Sequence, residues 1–297
     1  MNVWIKKSNN AYIPEAFAYA DYLKKQNFNV VLSEDDLGFD PLDVSISFMG
    51  FLPAWGNNAL QLRGAQVHEY HSLSTPPYAR AKDFLKRTLN KKPNGRIFLN
   101  DTVKESMGFC DDVPFICRDM GVEAALFDIN NKDAIFDVIY CGSIDGREGL
   151  VDEILRLADL NLKILVVGKA NKDNVCRLNN KNVEMVGAIP RELLPLYYAK
   201  ARAGLNFTPD IYPYNIQTST KVLEYCAAGL GVISNEYAWI KSFSHLRAAR
   251  FLFTDELNHA DDLRNFSFQI PDVSDLEWSV VLDNIDFKGF LLRVAGR

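Results

Sequence analysis

The sequence predicts an α/β protein made of two doubly wound domains facing across a cleft, and three observations carry that expectation. Short β-branched or apolar runs alternate with helical patterns along the whole chain, the signature of parallel βα units. The pattern pauses at a polar joint, Asn130-Asn131-Lys132-Asp133, and then restarts. A chain of 297 residues, 48% of them hydrophobic, is also long enough to bury two cores. The expected division is residues 1–130, residues 131–275, and a helical region over 276–297 that packs back on the first domain.

Taken in order, the first half opens with an apolar strand at 3–5 and a helix over 14–26 that begins on Pro14. Strands follow at 30–33, 44–48 and 66–70, each a run of β-branched and apolar residues. A helix over 77–89 and a strand at 96–100 come next; residues 107–127 carry no clear period. Beyond the joint the sequence gives a strand at 137–141, a glycine-rich turn, a helix at 150–157 and a strand at 163–167. Strands at 182–186, 203–206 and 231–234 then alternate with helices at 191–199 and from residue 220. A terminal helical region starts at Asp275. In open parallel sheets ligands bind beyond the carboxyl ends of the strands, so the loops after these strands are the places to look for a site.

Composition narrows the class. A net charge of −5 argues against a general nucleic-acid binder. The five cysteines (Cys110, Cys117, Cys141, Cys176 and Cys226) form no CxxC pair and read as free thiols in a reducing compartment. The first residues contain no apolar leader and no run of eighteen apolar residues occurs, so a cytoplasmic location is expected. No metal-ligand spacing is present.

Three loops in the second half carry chemistry. Gly142-Ser143-Ile144-Asp145-Gly146-Arg147-Glu148-Gly149 leaves a strand, and its glycines admit an anion close to the backbone while Arg147 offers a charge-assisted contact. Gly187-Ala188-Ile189-Pro190 also lies between a strand and a helix. The third, Gln217-Thr218-Ser219-Thr220-Lys221, precedes Glu224 in "STKVLEYCAAGLGVIS". Three hydroxyl residues at a helix start, with Lys221 on its first turn, would make a phosphate cradle. Glu224 lies on the same face as Lys221 and, repelled by phosphate, would reach past it to sugar hydroxyls. The alternative is Ser219 or Thr220 as an N-cap with Lys221 and Glu224 as an exposed ion pair; spacing alone leaves both open.

In order and combination these loops resemble the donor-binding domain of GT-B glycosyltransferases, whose domains are Rossmann-like, and especially the retaining group called family 4. The match runs over residues 136–240, with "VEAALF" (122–127) similar to the family's domain-joining segment. Gly142 and Gly149 match the diphosphate-loop glycines, Gly187 and Pro190 the segment beside the base, and Lys221, Glu224, Tyr225, Ala228, Gly229 and Val232 the final motif. The resemblance implies that Glu224 holds the nucleotide ribose. Departures also occur. Ser143 and Glu148 stand where the family has its loop arginine and lysine, with Arg147 displaced by one position. Ile216 replaces the first of a glutamate pair, leaving Gln217 or Asn215 for donor-sugar hydroxyls, and Gly231 replaces a proline.

In the first half, Asn10 and Tyr12 (in Ser8-Asn9-Asn10-Ala11-Tyr12) and Trp55 (in "GFLPAWG") are acceptor-side candidates, the aromatic face suiting a sugar; ordinary packing is the alternative for the aromatics. "VHEYHSLSTPP" supplies the catalytic candidates. By the resemblance His71 or His68 would contact the donor sugar, and Glu69 is the nearest carboxylate base should the reaction invert. A buried or turn histidine is the other reading. Arg80–Arg96, "RAKDFLKRTLNKKPNGR", holds seven basic residues and one acid, with Phe84, Leu85 and Leu89 on one helical side. It suits an anionic membrane surface or a solvated helix face.

The expectation is a metal-independent hexosyl- or pentosyl-type transferase with no cofactor, using a UDP-sugar rather than a GDP-sugar. Its acceptor would be a glycan or lipid-linked molecule in surface-polysaccharide or lipopolysaccharide assembly, with retention of configuration and peripheral membrane attachment. The alternatives are a non-catalytic nucleotide- or glycan-binding partner, and an epimerase or hydrolase of the same fold.

Overall fold

The computed structural model describes residues 1–7, 13–34, 41–50, 54, 63–130 and 134–297. The described strands are β1 (Asn2–Lys6), β2 (Asn29–Ser33), β3 (Val44–Phe48), β4 (Ala65–Tyr70), β5 (Gly95–Phe98), β6 (Phe115–Cys117), β7 (Phe136–Cys141), β8 (Ile164–Val167), β9 (Val183–Gly187), β10 (Ala201–Asn206), β11 (Gly231–Ser234) and β12 (Leu252–Phe253). The α-helices are α1 (Pro14–Lys25), α2 (Ala79–Leu89), α3 (Asp101–Met107), α4 (Leu150–Asp159), α5 (Lys172–Arg177), α6 (Leu194–Tyr198), α7 (Thr220–Ala227), α8 (Ala238–Leu246), α9 (Ala260–Asn265), α10 (Trp278–Asn284) and α11 (Phe287–Val294). The chain forms two compact units: Met1–Gly121 with Leu276–Arg297, and Val122–Asp275. The change of unit therefore falls at 121/122, ahead of the polar joint, and the "VEAALF" segment lies in the second unit.

The first unit is a six-stranded sheet ordered β2-β1-β3-β4-β5-β6, every pair parallel. Val3 pairs with Val30 on one side and Val44 on the other, so the strand order reverses between β1 and β3. The second unit is ordered β12-β11-β10-β7-β8-β9, again all parallel, and reverses between β7 and β10. Its central strands are buried on both faces: all four residues of β8 and of β11 are buried, as an apolar run in a parallel sheet should be.

Two glycines explain how the terminal helices join the first unit. A Cβ on Gly121 would lie 2.2 Å from the Trp278 ring, and one on Gly95 would lie 2.8 Å from Phe290 and from Val294. Their bare backbones let α10 and α11 approach, and Trp278, Phe287 and Phe290 are buried there. Phe287 packs 4.6 Å from Tyr19 of α1, whose neighbour Tyr22 donates to Asp283 at 2.6 Å.

Most elements that the apolar pattern did not reveal are short, the nine-residue α8 being the exception. Helix α3 is fixed by local chemistry instead: the Asn100 side chain accepts from Val103 N–H, and Gly108 ends it in the left-handed region. The helix expected from residue 77 starts at Ala79 because Tyr78, at φ +63°, is left-handed.

Candidate active site

The reversal between β7 and β10 brings the loops after these strands together in the second unit. Strand β7 ends at Cys141, and the chain turns through Gly142 at φ +143°, a conformation that side chains rarely adopt. Gly142 must also be bare for a second reason: a Cβ there would stand 2.8 Å from Cε and 3.3 Å from Nζ of Lys221. The Lys221 ammonium thus lies against the backbone of the Gly142 loop, 5.7 Å from the Tyr140 ring centre. On the other side of this loop Arg147 donates to the Ser143 carbonyl at 3.1 Å, and Tyr140 donates to the same oxygen at 2.8 Å. Both cations line one small pocket of about 120 Å³ with Gln217, Thr218, Ser219 and Thr220.

Its floor is the N-terminus of α7. Ser219 occupies the N-cap position but makes no capping bond; its hydroxyl donates instead to Asn206 Oδ1 at 2.8 Å. Asn206, buried at the end of β10, is held by its amide to Ser234 (2.8 Å) and Tyr237 (3.1 Å). The side chain that would have capped the helix is turned away by a buried polar web, leaving the helix's positive end toward the pocket. The alternative of a Ser219 cap is not met, since Ser219 makes no capping bond. Gln217 adds a buried Nε2 with no hydrogen-bond partner among the described residues, an unmet donor at the same pocket.

Burial and then the nearby Arg147 charge, opposed by Glu224, bring the Lys221 pKa down to about 8. Two cations at a helix N-terminus favour an anion of more than one charge. Glu224 does not pair with Lys221. Its carboxylate is buried, with one oxygen bound by Arg191 and the other accepting from Tyr198 at 2.8 Å. Arg191 also binds Glu123 at 2.6 Å. The sequence reading missed Arg191, Tyr198 and Asn206, although Arg191 directly follows Pro190 of the Gly187 segment. Gly187 itself has φ +73° with open space above it, Ala188 is exposed and Ile189 half-buried.

No protein-family model and no curated protein matches the sequence. Solved structures do match. AviGT4, a glycosyltransferase of avilamycin A biosynthesis, superimposes with a TM-score of 0.63 at 14% identity over 100% of this chain and 98% of its own. HepE of Anabaena, solved with UDP and glucose, gives 0.62 at 11% identity over 98% and 94%. BGT of phage T4, solved with its UDP-glucose substrate, gives 0.57 at 17% identity over 100% and 98%. The fold is GT-B.

In the first unit of this GT-B chain the structure separates the three catalytic candidates. His68, in the middle of β4, is fully buried, and neither ring nitrogen has a partner among the described residues. Burial brings its pKa down to about 3, so it is a neutral core histidine and not a group that meets substrate. Glu69 is also fully buried, bonded to Arg118 at 2.6 Å and to the Tyr19 hydroxyl at 3.0 Å, which removes it as an accessible base. His71, one residue past the end of β4, is half-buried against Phe48, and its Nδ1 has no partner among the described residues. It alone of the three lies at the carboxyl edge of the sheet. Asn10, Tyr12 and Trp55 lie outside the described residues.

The basic segment is also corrected at one end. Arg96 is buried in β5, paired with Asp111 at 2.5 and 2.8 Å and stacked 3.8 Å from Phe109, so it belongs to the interior. On α2 only Asp83 is buried, while Phe84 and Leu85 are exposed at 53% and 44% among its lysines and arginines. Among the described residues no helix is long and apolar enough to cross a membrane, and no group of three potential metal-ligating side chains occurs.

Proposed function

We propose that this chain is a glycosyltransferase that moves a sugar from a nucleoside-diphosphate sugar, a UDP-sugar in preference to a GDP-sugar, to a glycan or lipid-linked acceptor. The observation that carries the reading is the convergence of Lys221, Arg147 and the uncapped start of α7 on the Gly142 loop. When the glycosidic bond to the diphosphate breaks, the departing oxygen gains negative charge. A pre-set ammonium, guanidinium and helix terminus stabilise that charge without moving, and a metal ion is not needed for the purpose. The AviGT4, HepE and BGT likenesses are consistent with it.

The nucleotide ribose falls to Glu224, oriented by Arg191 and Tyr198, and the donor sugar to Gln217. Burial of Glu69 takes away the carboxylate base put forward for an inverting route, and retention of configuration is the route proposed. The exposed apolar and basic surface of α2 supports peripheral attachment to an anionic membrane, and with it a role in surface-polysaccharide or lipopolysaccharide assembly.

A thermal-shift panel of nucleotides tests the reading. UDP is expected to raise the melting point of the wild type through binding to the folded state, and to do so far less in Lys221→Ala. The absence of a shift with UDP, GDP and their sugars would remove the transferase assignment.

A further inference from the structure

The first unit contains a further pocket, lined by apolar side chains and by two lysines, that shares no residue with the one at Lys221. It has a volume of about 400 Å³ and lies beyond β4, between the loop carrying Ser72 and Thr75 and the face of α2 that supplies Lys82 and Lys86. Four residues apart, the two lysines leave the helix on one side. The Lys86 side chain is only 16% exposed, and its ammonium stands 3.8 Å from Asp83, too far for a hydrogen bond. Asp83 is otherwise occupied: its two oxygens accept from the Ser74 N–H at 3.1 and 3.2 Å. Lys82 donates to the Thr75 carbonyl at 3.0 Å, which ties the loop to the helix without neutralising either amine. Burial lowers the Lys86 pKa, Asp83 opposing this and Lys82 adding to it. Lys86 thus has a mostly buried side chain, one long ion pair to Asp83 and ammonium donors left over for an anion.

We propose that this pocket binds a phosphoryl group, held by Lys82, Lys86 and the hydroxyls of Ser72 and Thr75. A carboxylate has two oxygens and one charge. Two ammonium groups and two hydroxyls match the three oxygens and higher charge of a phosphate ester better. Leu73 and Leu85 form the apolar part of the lining, suited to the ester side of the ligand. The same chemistry is offered by a soluble sugar phosphate or pyrophosphate and by a lipid headgroup. On the transferase reading, on which this last step rests, the site would anchor a phosphorylated acceptor.

The test separates this site from the donor cradle. In Lys221→Ala, whose cradle lacks its ammonium, calorimetry with inorganic pyrophosphate should still detect binding, and adding Lys86→Met should weaken it about tenfold or more. Pyrophosphate should also protect Lys86 of the wild type from acetylation, read by mass spectrometry, which does not depend on a variant folding. Lys86→Met alone should keep the UDP-induced thermal shift. Pyrophosphate binding that is indifferent to Lys86→Met, or acetylation of Lys86 that pyrophosphate leaves unchanged, would overturn the proposal even if UDP binds as expected. Flotation with phosphatidylcholine vesicles containing phosphatidic acid assigns the source. Vesicles that carry the wild type but not Lys86→Met support a lipid headgroup, and pyrophosphate binding without flotation supports a soluble phosphate.

Discussion

At the scale of the residue, the environment of Lys221 sets the pH dependence that the proposed diphosphate binding should show. With its pKa lowered to about 8 by burial and by Arg147, its amine is half neutral near pH 8 in the free protein. A bound diphosphate favours the charged form, so binding draws on a proton that is present below the free-protein pKa and lost above it. UDP affinity should therefore fall as pH rises from about 7 to about 9, by up to about tenfold per unit at the top, and should stay flat in Lys221→Arg; calorimetry across that range decides it. The sign for stability is opposite. The unfolded chain holds this proton more tightly, so between about 8 and 10.5 the group favours the fold as pH rises. Arg191 makes a second residue-level case. Arg191→Ala leaves a buried Glu224 oxygen without its guanidinium and should cost about 2 kcal/mol in urea unfolding, part of it regained in Arg191→Ala/Glu224→Gln. Lys221 and Glu224 were visible in the sequence because three positions on one helix fix their relation. Arg191, which lies 33 residues from Glu224, was not, because only the fold joins them.

At the scale of the element, the central strands were legible while the edge strands β6 and β12 and several helices were not, for a physical reason. Parallel strands buried on both faces must be apolar runs, as Ile164–Val167 and Gly231–Ser234 are, and such runs stand out. Helices of six or seven residues such as α3, α5 and α9 show too few turns for a period, and α3 and α5 are set by the asparagines Asn100 and Asn171 that cap them. The Gly231 departure from the family pattern has its explanation here: a Cβ would stand 2.6 Å from Phe268, which packs over β11. Gly204 shows the same dependence between elements. A Cβ on it would lie 2.3 Å from the Tyr225 ring, and the Tyr225 hydroxyl bridges β7 and β10, accepting from Cys141 N–H and donating to the Leu205 carbonyl, both at 3.2 Å. That bridge sits at the strand reversal under the Gly142 loop. Gly204→Ala should therefore lower stability by about 1–3 kcal/mol and weaken UDP binding as well, measured by denaturant unfolding and thermal shift. A variant that loses stability but keeps full UDP affinity would separate the bridge from the site.

At the scale of the molecule, each unit carries its own reversal point, and the first unit is closed by chain from both ends of the sequence. Its interior is organised around Arg118, which bonds Glu69 and Glu15 at 2.6 and 3.1 Å and Tyr19 at 2.6 Å and stacks 5.4 Å from Trp278 of the terminal helix α10. One guanidinium thus faces two buried carboxyls, and the pair cannot both be ionised without an excess buried charge. Burial accordingly raises the Glu69 pKa from 4.5 to about 7, against the opposing pull of Arg118. The sequence showed Glu69 as a polar residue near a strand end and could not show this, because its partners come from α1 and from the segment after β6. The consequence is a pH dependence of the whole unit. The folded protein holds the Glu69 proton more tightly than the unfolded chain, so its stabilisation is fully present below about 4.5 and is lost as pH rises through about 7. The slope is at most about 1.4 kcal/mol per pH unit, on the order of 3 kcal/mol over the window. Hydrogen exchange in α1 and β4, corrected for intrinsic rates, should show wild-type protection falling from pH 5 to pH 7.5. Glu69→Gln, which keeps an acceptor for Arg118 but has no proton to lose, should remove that fall. Protection that is flat with pH in the wild type would mean that Arg118 keeps Glu69 ionised and that the excess charge resides elsewhere in the network.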